Sequence, residues 1–241
     1  MDERPLVVVT GASSGIGAAA ARAFSAAGHP LLLLARRAGP MEALGLPDTI
    51  VEAVDVTDSA AVAAAIGRAE EAYGPVDLLV NNAGMMSLAP VAEQDPQHIQ
   101  RMFDLNCVAP MRLAQLVLPA MMARRGGTIM NVGSIAGKAL YGDHTVYCGT
   151  KYALHVMTEG LRRETAAHGV RVMLVAPGMV DTDLLSNTGA GRVLDGYLDY
   201  KKSIGGGLAP EDVAEAMLHA YRLPQHVNLR EIVVAATVQD S

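Results

Sequence analysis

A tyrosine and a lysine four residues apart, in Tyr147-Cys148-Gly149-Thr150-Lys151, carry the clearest chemical potential in this 241-residue chain. On a helix, residues at that spacing share one face. A free tyrosine titrates near pH 10, too high for a base at neutral pH, and a neighbouring ammonium favours the phenolate and lowers that value. Tyr147 could then exchange a proton with a substrate oxygen. The spacing alone recurs by chance in many helices as a surface pair, so its weight rests on Ser134, 13 residues earlier. Ser134 follows the apolar run Thr128–Val132, and ligands of open α/β sheets bind beyond the carboxyl ends of the strands.

A second constellation lies near the N-terminus. The run Leu6-Val7-Val8-Val9 leads into Thr10-Gly11-Ala12-Ser13-Ser14-Gly15-Ile16-Gly17 and then an Ala-rich stretch, which predicts strand, turn and helix in that order. The glycines are ordered G-x-x-x-G-x-G rather than G-x-G-x-x-G. Glycines in such a turn permit positive φ, let the backbone approach a pyrophosphate, and leave phosphate oxygens facing the amides of a helix N-terminus. The plainer alternative is a tight turn that uses glycine only for its geometry.

The elements that must position these groups follow from an alternation of short apolar runs and Ala-rich helical stretches. Strands are expected at Leu6–Val9, Leu31–Ala35, Ile50–Val54, Asp77–Val80, Thr128–Val132, Arg171–Ala176 and Glu231–Ala235. Helices are expected at Gly15–Ala27, Ser59–Tyr73 with Asp58 as cap, Asn106–Ala123, Val146–His168 and Pro210–Arg222; Gly28 and Gly169 act as stops. Continuously apolar strands suit a parallel sheet covered on both faces, and crossover helices make that sheet doubly wound. The expected architecture is a three-layer α/β/α single domain over residues 1–241, with no Pro- or Ser-rich linker and no repeat. The polar, Gly-containing stretch Met179–Leu208 is expected to be an irregular loop that serves as a substrate lid. With 51% hydrophobic but only 4% aromatic residues, the core must be built from Ala, Val, Leu, Ile and the 13 Met, small enough for helices to lie close to a sheet.

These motifs together resemble the short-chain dehydrogenases/reductases, and the resemblance runs over essentially the whole chain. Thr10-Gly11-x-x-x-Gly15-x-Gly17 is similar to that family's cofactor motif, on a Rossmann-type fold. The resemblance implies cofactor contacts from Ser14, Ile16, Val56, Val180 and the glycines, and an adenine contact from Asp55. It implies that Asn81-Asn82-Ala83-Gly84 ends the fourth strand, supports the central sheet and adjoins the cofactor. Pro177-Gly178 with Thr182 would hold the nicotinamide carboxamide. Ser134 would orient the reacting oxygen, Asn106 would hold a water linking Lys151 to solvent, and Lys151 would also bond the nicotinamide ribose. Where the family often has a second serine, this chain has Gly133. The phrases Asn81–Met86 and Asn228–Ile232 further resemble bacterial serine and 3-hydroxy acid dehydrogenases. Activity on a small alcohol or carbonyl compound follows as an expectation, as does a homotetramer or homodimer built through the two long helices and the last strand.

The second strand ends in Leu34-Ala35-Arg36-Arg37, so Ala35 stands where an NAD-binding fold places an acidic residue on the ribose hydroxyl. A guanidinium there can hold a ribose phosphate through paired, charge-assisted hydrogen bonds. NADP(H) is therefore expected, with Arg36 as the main phosphate contact and Ser13 and Arg37 assisting. The alternative is two solvated surface arginines.

His144, Lys138, Tyr141, Met86, Met179, Leu184 and Arg192 are candidates for the substrate cleft, while Cys148 and Met85 read as packing residues. Lys138 or Arg192 could pair with a substrate carboxylate. No spacing of His or Cys points to a metal. The balance of 19 basic against 25 acidic residues disfavours a nucleic-acid partner. Two unpaired cysteines suit a reducing cytoplasm, and neither a signal peptide nor an uninterrupted membrane-spanning run is evident. A non-catalytic NADP sensor on the same fold is the competing reading; intact Ser134, Tyr147 and Lys151 weigh against it.

Overall fold

In the computed structural model, which describes residues 4–240, seven strands form one parallel sheet in the order β3-β2-β1-β4-β5-β6-β7. The strands are β1 Leu6–Thr10, β2 Leu31–Ala35, β3 Thr49–Ala53, β4 Val76–Asn81, β5 Thr128–Val132, β6 Arg171–Pro177 and β7 Glu231–Val234. The chain order reverses between β1 and β4, so the carboxyl ends of these two strands flank the crevice of a doubly wound fold. Every residue of β1, β2, β5 and β6 is buried, so the strands read as largely apolar runs, broken in β5 and β6 by buried Thr128, Asn131 and Arg171.

Helices cover both faces. On one side α1 Gly15–Ala26 and α8 Pro210–Arg222 pack on the sheet, with Ala19, Ala20, Phe24, Val213 and Met217 in a shared core. On the other, α3 Ser59–Tyr73 and α5 Ala109–Ala123 bury Val62, Ile66, Leu113 and Val117. The Asp58 side chain caps α3 by accepting from Ala60 and Ala61 N–H, both at 3.1 Å. Short α2 spans Ala38–Glu42, and α6 spans Thr145–Thr165.

Besides the short α2, which was not expected, three elements differ from the expectation. The helix expected from Asn106 begins ten residues earlier, as α4 Pro96–Phe103 capped by Asp95, and continues through a π turn at Asp104–Val108 into α5. Only Met102 of α4 is buried, so its polar first turns carry little apolar signal. Pro110 cannot donate the hydrogen bond an α-helix would direct to Asn106, and the wider π turn accommodates that loss. The continuous helix Pro96–Ala123 is apolar and long enough to cross a bilayer, but its Leu113, Val117 and Met121 pack against the sheet. The third difference is α7 Arg192–Ser203, which lies inside the stretch expected to be irregular. It buries no residue completely, and its apolar contacts are limited to Val193 and Tyr197, packed partly buried beside Met86 and Tyr147.

The excursion carrying α7 is closed at its base. Asp181 N–H donates to Leu208 O and Leu208 N–H to Met179 O, both at 2.9 Å. Gly205, Gly206 and Gly207 all take positive φ to bring the chain back, and a Cβ at Gly207 would stand 2.6 Å from Met179 O.

Candidate active site

The crevice opens into a cavity of about 1140 Å³ that runs from Arg36 and Arg37, past the Gly11–Gly15 turn, to Tyr147 and on to α7. Gly11 and Gly15 take φ of 66° and 52°, and a Cβ on Gly15 would meet Thr182 Cγ2 at 2.9 Å. Ser13, Ser14 and Ile16 line the cavity beside them. Gly17 does not; a Cβ there would stand 2.3 Å from Gly11 O and 2.6 Å from Asn82 Nδ2, so its glycine serves the close approach of helix and turn. The expected direct contact at Gly17 is therefore replaced by packing.

Thr10 and Asn82 tie the ends of β1 and β4 together. The Thr10 hydroxyl accepts from Asn82 N–H at 2.9 Å and Ala83 N–H at 3.0 Å, while Asn82 Nδ2 donates to Thr10 O at 2.9 Å. Deeper in, Asn81 Nδ2 donates to Asn131 Oδ1 at 2.8 Å and Asn131 Nδ2 to Thr158 Oγ1 at 2.9 Å, a buried polar link across β4, β5 and α6. Ala83, Gly84, Val56, Pro177, Gly178, Val180 and Thr182 all reach the cavity wall.

At the far end from Tyr147, Arg36 and Arg37 are exposed and, among the described residues, neither makes an ion pair. Asp55 also lines the cavity, but its carboxylate is held by Arg101, which the sequence reading missed. Burial pushes the Asp55 pKa up, but hydrogen bonds from Thr57 N–H and hydroxyl and the Arg101 guanidinium outweigh it and bring the value to about 2.

Tyr147, Lys151 and Ser134 meet on one wall. α6 sets Tyr147 and Lys151 on its buried face, with Lys151 Nζ 5.7 Å from the phenol ring centroid. Lys151 Nζ donates to Val132 O at 2.9 Å, fixing the ammonium at the end of β5. Ser134 Oγ accepts from Ala136 N–H at 3.1 Å, which leaves its hydroxyl hydrogen available for another oxygen.

Burial dominates the electrostatics of this wall. Burial pushes Tyr147 upward, the Ser134 hydroxyl opposes the shift, and Tyr197 and Cys148 add to it; Lys151 does not reverse it. Burial also lowers Lys151, to about 8.

Asn106 does not line the cavity. Its Oδ1 accepts from Met85 N–H at 2.8 Å, and its Nδ2 donates to Met85 O at 2.9 Å and Thr150 Oγ1 at 3.1 Å. Both amide hydrogens are thus committed, and the side chain anchors Met85 and Thr150, the neighbour of Lys151.

Of the other candidates, Tyr141, His144, Met86, Met179, Leu184 and Arg192 reach the cavity, whereas Lys138 does not and pairs with Glu231 at 2.8 Å. Cys148 is buried with its thiol towards Ala139 O. Tyr197 and Leu185, unforeseen in the sequence, pack with Met85, Met86 and Tyr147. His155 was also missed. It sits four positions after Lys151, accepts from Ser134 N–H at 3.4 Å, and would stand 2.4 Å from a Cβ at either Gly133 or Gly137. Its imidazole fills the space that a serine at position 133 would need.

A doubly wound sheet with a glycine turn and a Tyr–Lys–Ser wall in one crevice defines a dinucleotide-dependent oxidoreductase class. Residues 5–192 match the short chain dehydrogenase family, and the chain belongs to it. An uncharacterised oxidoreductase of Staphylococcus saprophyticus is 35% identical over 238 residues, covering 95% of this chain and 96% of that one. Among solved structures, a closed form of serine dehydrogenase complexed with NADP+ aligns at TM-score 0.88 and 30% identity, over 98% of this chain and 96% of that one. An alcohol dehydrogenase of Thermococcus sibiricus, complexed with 5-hydroxy-NADP, aligns at TM-score 0.85 and 25% identity, over 99% of both chains.

Proposed function

We propose that this chain is an NADP(H)-dependent oxidoreductase that interconverts a small alcohol and its carbonyl compound, with Tyr147 as general acid and base. One observation carries the reading: Ser134, Tyr147 and Lys151 share the wall of a cavity whose other end presents two unpaired guanidiniums. The glycine turn fits a dinucleotide, because Gly11 and Gly15 line the cavity at the N-terminus of α1 and turn the chain there with positive φ. Ser13, Arg36 and Arg37 would hold the ribose phosphate, Asn82, Ala83, Gly84, Asp55 and Val56 the adenosine half, and Pro177, Gly178, Val180 and Thr182 the nicotinamide half.

When bound, the nicotinamide supplies the hydride in reduction or accepts it in oxidation. In reduction Ser134 donates a hydrogen bond to the carbonyl oxygen. Tyr147 Oη gives that oxygen its proton as the carbon gains the hydride, so the carbonyl becomes an alcohol and the tyrosine a phenolate. The Lys151 ammonium offsets the phenolate charge. Burial favours the protonated phenol, the form that donates when a carbonyl is reduced. Segment 179–208 covers the substrate end. Exposed Phe103, Val108, Tyr152 and Val156 on the two long helices support a homo-oligomer.

The test is consumption of NADPH and of NADH with a panel of aldehydes and ketones. Turnover with a higher kcat/KM for NADPH is expected, and Tyr147→Phe should lower kcat by about 10²–10⁴-fold while NADPH binding persists. A variant with wild-type kcat would remove Tyr147 from the mechanism, and binding of NADPH without any turnover would favour the sensor.

A further inference from the structure

The substrate end of the cavity has a charge pattern that selects among carbonyl compounds. Two cations line it, Arg192 and Lys201. Arg192 Nη1 pairs with Asp143 Oδ2 at 3.2 Å, and Lys201 pairs with Asp181. Lys151 is committed to Val132 O. Arg192 and Lys201 thus both already have a carboxylate partner within the chain, and Lys151 lies beside the Tyr147 ring.

His144 does not supply a replacement. Its Nδ1 bonds the Gly142 carbonyl, which can only accept, so Nδ1 carries the hydrogen and Nε2 of the neutral ring presents a lone pair. Burial lowers its pKa, which favours the neutral ring. The His144 ring stacks on Tyr197 at 6.2 Å between centroids and lies 5.7 Å from Tyr141. Met86, Leu184, Leu185 and Val193 complete an apolar cluster around Tyr147. Within it, the Tyr141 hydroxyl is buried with no hydrogen-bond partner, the one such side-chain atom among the described residues that belongs to a cavity-lining residue.

We infer that the substrate is an uncharged, largely apolar ketone or aldehyde, that Asp143 excludes carboxylates by neutralising Arg192, and that Tyr141 hydrogen-bonds a second, neutral polar group. This inference rests on the proposed oxidoreductase function and narrows its substrate away from hydroxy acids. A carboxylate entering the cavity would lose its hydration without gaining an unpaired cation, and a buried unpaired charge is strongly disfavoured.

The discriminating pair of substrates is acetophenone and para-acetylbenzoate, which differ only in a carboxylate, with L-serine and 3-hydroxybutyrate tested in oxidation. Acetophenone should have the higher kcat/KM by at least about tenfold, with little turnover of the two acids. Asp143→Asn leaves Arg192 without its carboxylate and should raise the ratio of para-acetylbenzoate to acetophenone about tenfold. Asparagine tolerates the left-handed backbone at this position, φ 61°, so the variant is expected to fold, and NADPH binding checks that it does. The gain should vanish when Arg192→Ala is added. A wild-type preference for the carboxylates, or an unchanged ratio in Asp143→Asn, overturns this inference and leaves the oxidoreductase function standing. Turnover of neither ketones nor alcohols overturns both.

Discussion

The two ends of the cavity treat positive charge in opposite ways. At the end beside the glycine turn Arg36 and Arg37 stand exposed and, among the described residues, without ion pairs, and the nearby Asp55 is occupied by Arg101. At the substrate end Arg192 and Lys201 each carry an internal carboxylate partner, and the wall between them is aromatic and aliphatic. A protein with net charge -6 has carboxylates to spare, so leaving two arginines unpaired is not forced by composition. Unpaired charge marks where a ligand brings charge of its own; internally neutralised charge marks where the ligand brings none.

The comparison breaks first at Arg36. If its guanidinium holds a ribose phosphate, Arg36→Ala removes a charge-assisted contact of about 1.5–3 kcal/mol and should raise the KM for NADPH roughly 10–100-fold. The KM for NADH, which lacks that phosphate, should change little. Equal losses for both cofactors would mean that Arg36 acts on the fold or on the shared pyrophosphate, and the contrast between the ends would lose its ligand-based explanation.

Between the ends lies a further cation, Lys151, which is buried and, among the described residues, not ion-paired. Burial lowers it from 10.5 to about 8. Between those two values the folded chain has released this proton and the unfolded chain still holds it, so stability should rise with pH across that window. Activity runs the other way: reduction needs the ammonium to offset the Tyr147 phenolate, so kcat/KM should fall above about 8, by about tenfold per pH unit. Opposite slopes for thermal stability and for activity, with the stability slope flattened in Lys151→Met, would place the titration on Lys151. Activity sustained to pH 10 would show that burial does not perturb it.

How much of this was legible in the sequence depended on how local each signal is. The parallel strands were readable because burial on both faces leaves continuous apolar runs, as in Leu31–Ala35. The Tyr147–Lys151 pair and the glycine turn were readable because their spacing is set within one helix or one turn. Helix α7 was not, because no residue on it is fully buried, and α4 was not, because only Met102 is. The charge pattern was hidden for another reason. Arg192 and Asp143 are 49 positions apart and Arg101 and Asp55 are 46 apart, so only folding reveals which cations are spent. His155 is the clearest miss, because a histidine on a helix carries no sign that two glycines on a neighbouring turn make room for it.

That histidine gives the finest test, at the joint between the two ends. Gly133 and Gly137 press against His155 Nε2, which in turn accepts the Ser134 N–H that begins the catalytic turn. Gly133→Ser would place a Cβ 2.4 Å from Nε2, and overpacking of this kind costs about 1–3 kcal/mol. The strain should displace Ser134 from the reacting oxygen, lowering kcat more than it raises KM for either end's ligand. His155→Ala removes the obstruction, so adding it to Gly133→Ser should recover the lost melting temperature and much of kcat. If Gly133→Ser is equally costly with and without His155, then the histidine is not what keeps serine from position 133, and Ser134 is held by its bond to Ala136 N–H alone.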